Sequence, residues 1–77
     1  MAREKRSADI VAEMVANVMT VVVAPGEKVE AGDTVVLLES MKMEIPVLAE
    51  ARGTVSAVKV SAGDVVQEGD ILLTVDL

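Results

Sequence analysis

Thr34-Val35-Val36-Leu37-Leu38-Glu39-Ser40-Met41-Lys42-Met43-Glu44-Ile45-Pro46-Val47-Leu48-Ala49 is the stretch that decides how this chain folds. Both of its flanks are rich in β-branched and aliphatic residues, the composition of strands, and Glu39 to Glu44 stand between them. The pattern predicts a strand ending at Glu39, a tip at Met41-Lys42, and a strand returning from Glu44 to Ala49. Pro46 has no N–H, which puts that part of the return strand at a sheet edge or a non-bonded position. Neither Met nor Lys suits a tight hairpin tip, where Asn, Asp and Gly supply the positive φ. Local rules are broken most readily at functional sites, so this tip is a candidate for function. On spacing alone the plain alternative stands beside it: a solvated lysine between two gap-filling methionines.

Outward from the tip, the earlier chain reads as short strands and turns. Asp9 to Met14 and Val18 to Val23 are expected strands, with Val15-Ala16-Asn17 bending between them. Ala24-Pro25-Gly26-Glu27 is a turn by its Pro-Gly pair. Lys28-Val29-Glu30 is a short extended piece, and Ala31-Gly32-Asp33 turns the chain into the strand that ends at Glu39. Residues 1–6 are charged and aperiodic, and are expected to form a disordered tail ahead of one domain over 7–77.

The second half repeats the first. At a shift of 37 residues, Gly26 falls on Gly63, Gly32 on Gly69 and Asp33 on Asp70. Val18, Val21, Val23 and Val29 fall on Val55, Val58, Val60 and Val66, and Ala12-Glu13 on Ala49-Glu50. Coinciding glycines mark turns with permissive backbone, and coinciding valines mark matched core positions. Such a repeat suggests two half-sheets about a pseudo-twofold axis, closed into a flattened all-β barrel or sandwich of about eight short strands. The hairpin holding Lys42 joins the halves, and its mate is the pairing of the last strand with the first. Lys42 and the termini are then expected at opposite ends.

Composition narrows the function. The chain of 77 residues has no Cys, His, Phe, Tyr or Trp. Disulfides, Cys/His metal sites, histidine acid–base catalysis and aromatic stacking platforms are excluded. The net charge is −6, with no basic stripe to neutralise phosphates, so nucleic acid is not an expected partner. The apolar run from Met14 to Ala24 is too short to span a bilayer, and Asp9 and Glu13 interrupt what would follow a signal-like start. A soluble cytoplasmic protein is expected.

Glu39-Ser40-Met41-Lys42-Met43-Glu44 resembles the attachment motif of the biotinyl/lipoyl attachment domain family, in which the lysine between two methionines carries biotin as a side-chain amide. The resemblance extends from about Ala8 to Val75. It includes the Gly-Asp turns before each half's last strand and Arg52-Gly53-Thr54-Val55 after the hairpin. In length the chain is most similar to short stand-alone biotinylated proteins of actinobacteria. The constant repeat offset leaves no room for the extra thumb that some bacterial carboxyl carriers have in one half. One departure is Ala16, where relatives usually have Gly, so Asn17 is expected to supply a left-handed residue at the first bend.

The resemblance implies a barrel-sandwich fold and biotin as covalent cofactor on Lys42, with Met41, Met43, Glu39, Ser40 and Glu44 as the recognition motif. It implies no catalytic or metal-ligating residue of the chain's own. A lysine amine is protonated at neutral pH and then a poor nucleophile, and nothing nearby in sequence could act as its base. The implied partners are a biotin protein ligase, which modifies Lys42, and the biotin carboxylase and carboxyltransferase subunits between which biotin shuttles a carboxyl group. Two alternatives remain open: a lipoyl carrier of the same fold, or an interaction barrel that is never modified. Lipoyl sites usually have Asp before the lysine and Ala after it, where this chain has Met twice.

Overall fold

The computed structural model describes residues 6–77. Eight strands follow in chain order: β1 (Ser7–Val11), β2 (Ala16–Val21), β3 (Lys28–Val29), β4 (Thr34–Ser40), β5 (Met43–Leu48), β6 (Gly53–Val58), β7 (Val65–Val66) and β8 (Ile71–Asp76). They form two four-stranded sheets, and every pairing is antiparallel. The terminal sheet has the order β1-β8-β6-β3, and the hairpin sheet has the order β5-β4-β2-β7. β5 is an edge strand, so Pro46 deprives no further neighbour of a donor.

The repeat is visible bond by bond. Ala12 N–H donates to the Asp70 carbonyl at 2.9 Å, and Gly69 N–H donates to the Ala12 carbonyl at 2.8 Å. Thirty-seven residues away, Ala49 N–H donates to Asp33 and Gly32 N–H to Ala49, both at 2.8 Å. Gly32 and Gly69 take φ of 93° and 91°, a region that a side chain would strain. The aspartates that follow them accept from Glu30 N–H and Gln67 N–H through Oδ2, closing each turn locally.

The repeats do not form one half-sheet each, as the sequence suggested. Each sheet takes two strands from each repeat. The cause is the hairpin itself: a short loop forces β4, the last strand of one repeat, to pair with β5, the first of the next. Symmetry imposes the same pairing on β8 and β1. The halves are therefore interleaved, and the core is shared. Matched pairs Val18/Val55, Val29/Val66, Val35/Leu72, Val36/Leu73, Leu38/Val75 and Ala12/Ala49 are all buried. Burial of each Val or Leu contributes about 1.5–3 kcal/mol. No polar or charged side chain is buried among the described residues.

Two expectations for the first bend need correction. The bend lies at Glu13-Met14-Val15, not at Val15-Ala16-Asn17, and β1 stops at Val11. Met14 and Val15 extend the apolar pattern past the strand because both are exposed in the bend, at 36% and 63%. Asn17 lies within β2 and supplies no left-handed residue; among the described residues, the non-glycine residues at positive φ are Met41 and Lys42. Gly53, the mate of Ala16, is needed for space rather than for φ. A Cβ there would collide with the Asp76 carbonyl oxygen and stand 2.6 Å from Val75 Cγ1. Of the expected tail, residues 1–5 lie outside the described residues, while the Arg6 carbonyl accepts a bond from Leu77 N–H at 2.9 Å.

Candidate functional site at the hairpin tip

β4 and β5 pair up to their ends, through Leu38↔Ile45, Glu39↔Glu44 and Ser40↔Met43. That register leaves Met41 and Lys42 as a two-residue loop, with φ of 52° and 64°. Positive φ at both central residues is the signature of a type I′ turn, whose twist matches the strands it joins. Non-glycine residues pay for that conformation at about 1–2 kcal/mol each. The ladder enforces it from below, where Leu38 is 1% exposed and Ile45 packs against the core. These two anchors were not singled out in the sequence, although alternation along the strands points to them.

The six motif residues all come together at this end of the hairpin. Met41 is 91% exposed and Met43 64%, Lys42 and Glu44 are exposed, and Glu39 and Ser40 are half-buried. None of the side-chain hydrogen bonds among the described residues involves Lys42. Glu39 and Glu44 stand directly opposite each other, an arrangement that is destabilising for like charges. Two local costs thus fall on one hairpin end.

The tip is not a pocket. A cleft of about 430 Å³ does lie between the edge strands β1 and β5, with Ile10, Val11, Leu38, Ile45 and Val47 in its wall, but none of residues 39–44 lines it. The register also separates Lys42 from the chain ends. β1 leaves Ser7 beside Asp76, and after Val11 the bend delivers the chain to Asn17, beside Glu39. Lys42 lies at the opposite end of the barrel from the described chain ends, Arg6 and Leu77, as expected from the repeat.

Such a tip presents a primary amine to other molecules and encloses nothing. The family model described as "Biotin-requiring enzyme" matches residues 5–75. The chain belongs to this family. Its relatives include a "Biotinylated protein TB7.3 homolog" of Mycobacterium leprae, 57% identical over 87% of this chain and 94% of that protein. A "Biotin/lipoyl attachment protein" of Bacillus subtilis is 49% identical over 79% of this chain and 84% of that protein. Among solved structures, urea carboxylase of Kluyveromyces lactis contains a region similar to this family member, with TM-score 0.86 and 31% identity. That match covers 97% of this chain but 7% of the carboxylase. The lipoyl domain of the 2-oxoglutarate dehydrogenase complex from Azotobacter vinelandii matches at TM-score 0.69 and 30% identity, covering 92% of both chains. No helix among the described residues is long and apolar enough to cross a membrane.

Proposed function

We infer that the chain is a biotin carrier: it holds biotin in amide linkage to Lys42 and has no catalytic residue of its own. Bound biotin supplies a ureido nitrogen that accepts and releases a carboxyl group. The carrier moves it between the biotin carboxylase and carboxyltransferase sites of a biotin-dependent carboxylase. The observation that carries this reading is a lysine held in a strained, projecting turn, at the end of the barrel opposite the Ser7↔Asp76 pair.

The chain's residues contribute position rather than chemistry. The β4·β5 ladder fixes where the Lys42 backbone stands, and the four methylenes of its side chain extend the reach from there. Met41 and Met43 flank the amine with adaptable apolar surface. With no base supplied by the chain, attachment falls to a biotin protein ligase. Tethering then raises the effective concentration of biotin at both carboxylase sites without tight docking of the barrel. The Met residues on both sides of Lys42, and relatives that are described as biotinylated, favour biotin over a lipoyl group.

Intact-mass measurement on protein purified from its native cell tests this reading. One biotin adduct per chain is expected, and Lys42→Arg is expected to keep the fold and lose the adduct and streptavidin capture. Equal capture of wild type and Lys42→Arg would refute the assignment of Lys42. A single lipoyl adduct on Lys42 would refute the assignment of biotin.

A further inference from the structure

The internal repeat provides a control for the outside of the barrel. At the 37-residue offset, Val15, Met19, Leu37, Pro46 and Val65 correspond to Arg52, Ser56, Thr74, Asp9 and Lys28. The first set is apolar and the second polar at every position. Met19, Leu37 and Val65 alternate along β2, β4 and β7 with the buried Val18, Leu38 and Val66, so they face outward from the hairpin sheet. Pro46 pairs with Leu37, and Asn17 pairs with Val65. Met19 sits at the bulge beside Thr20, the partner of Leu37. Val15 enters β2 beside them. Val15 is 63% exposed, Val65 66% and Met19 38%.

The mate face on the terminal sheet is finished with polar contacts. Thr74 Oγ1 donates to Asp9 Oδ1 at 2.9 Å, and Ser56 Oγ donates to the Thr74 carbonyl at 3.2 Å. At these five positions the two faces, built to the same register, thus differ in what they show to solvent, while Ala57 and the exposed Ile71 of the terminal sheet answer to Thr20 and Thr34. Packing demands cannot explain this, because the mate satisfies them with polar residues. The apolar face is also the one that carries the tip. The row Glu44–Glu39–Asn17–Val65 crosses all four strands of the hairpin sheet next to Lys42, so carboxylates lie between the tip and the apolar surface.

We propose that the outer face of the hairpin sheet is the surface on which the biotin protein ligase docks, through an apolar patch flanked by cationic side chains beside its active site. The proposal rests on Lys42 being the attachment residue. A carboxylase can recognise the group that Lys42 carries, whereas the enzyme that first modifies Lys42 has only the chain's own surface to read. The surface also gives selectivity among lysines: Lys28 lies on the mate face, where the ligase finds no patch.

The test compares Val15→Ser/Met19→Ser/Val65→Ser with the mirror variant Lys28→Ser/Arg52→Ser, Ser56 already standing in place of Met. Thermal melts establish that both fold. Initial rates are measured with purified biotin protein ligase, ATP and biotin over a range of carrier concentrations, and adducts are mapped by peptide mass. The hairpin-sheet variant is expected to raise KM for the carrier at least tenfold with kcat within twofold, and the mirror variant to keep both within twofold. If the triple variant fails to fold, the exposed Val65→Ser alone is expected to raise KM about threefold. Wild-type KM in the variant that is measured, or equal loss in the mirror variant, would overturn the proposal while leaving Lys42 assigned. A wild type labelled elsewhere, or not at all, would overturn the assignment of Lys42 and the proposal with it. Sedimentation showing a wild-type dimer that the triple variant abolishes would mean that a second copy covers the face, and would also overturn it.

Discussion

The β4·β5 hairpin and the β1·β8 pair are the same structure finished in two ways. Ile45↔Leu38 answers to Ala8↔Val75, Pro46↔Leu37 to Asp9↔Thr74, and Val47↔Val36 to Ile10↔Leu73. Even the register irregularity recurs, between Thr34 and Val36 in one and between Ile10 and Val11 in the other. At the last pair they part. Glu39↔Glu44 continues into a closed turn at Met41-Lys42, whereas Ser7↔Asp76 opens into the two chain ends.

The mate shows that the barrel does not need the closed tip to align these strands. Yet the closed end holds two non-glycine residues at positive φ and faces two carboxylates across the ladder, features that the open end lacks. A ladder that would align without them enforces both. The difference sets the tip apart from the ladder that supports it.

The strongest way to break this comparison is to keep the tip and move the amine. Exchanging Met41 with Lys42, or Lys42 with Met43, preserves composition and charge but redirects the side chain. Ligase activity toward either exchange is expected to fall about a hundredfold, because misplacement of a reacting group by about an ångström costs that much. Intact-mass time courses with ligase, ATP and biotin measure it. Labelling of both exchanged variants at the wild-type rate would mean that the ligase does not read geometry here.

Next in size is a test of where the repeats are not equivalent. Gly53→Ala puts a methyl against the Asp76 backbone, and its overpacking is expected to cost about 1–3 kcal/mol. Ala16→Gly, at the mate position, is expected to cost about 0.5–1 kcal/mol through backbone entropy alone. Denaturant titrations of both give the order, and a larger loss at Ala16 would contradict the close approach at Gly53. Where the repeats are equivalent, effects should match. Gly26 and Gly63 have φ of 91° and 96°, with nothing near the missing Cβ. Alanine at either is expected to cost about 1–2 kcal/mol from φ strain. The two losses should agree, and a clear inequality would show that the halves do not share stability evenly.

The tip and the repeat were legible in the sequence because each rests on local chemistry: strand composition, turn glycines and a lysine where no turn wants one. The bend was not. Met14 and Val15 continue an apolar run although they are exposed, and alternation cannot tell a buried face from an apolar face left open. The same ambiguity hid the outer face of the hairpin sheet, where Met19 and Val65 are apolar yet exposed. Interleaving of the halves was implicit in the predicted hairpin, but it needs the pairings β2·β7 and β3·β6, made by two-residue strands too short to carry a signal. The need for glycine at residue 53 was not legible either, because it comes from the close approach of β8 beside it.

The smallest expected effect isolates the strain at the tip. Met41→Gly leaves the register, the amine and the charge in place and removes the Cβ that resists φ of 52°. Relief of about 1–2 kcal/mol is offset by the greater freedom of glycine in the unfolded chain, about 0.5–1 kcal/mol. The net expectation is a gain of about 0.5–1 kcal/mol, or roughly 4 °C in Tm for a domain of this size. Unmodified protein must be used, so that only the turn changes between the two melts. As the counterpart on the open end, Asp76→Asn removes a charge without altering any turn, and no comparable gain is expected. Should Met41→Gly melt below wild type, the tip is not strained, and the contrast between the closed and open ends reduces to the opposed carboxylates alone.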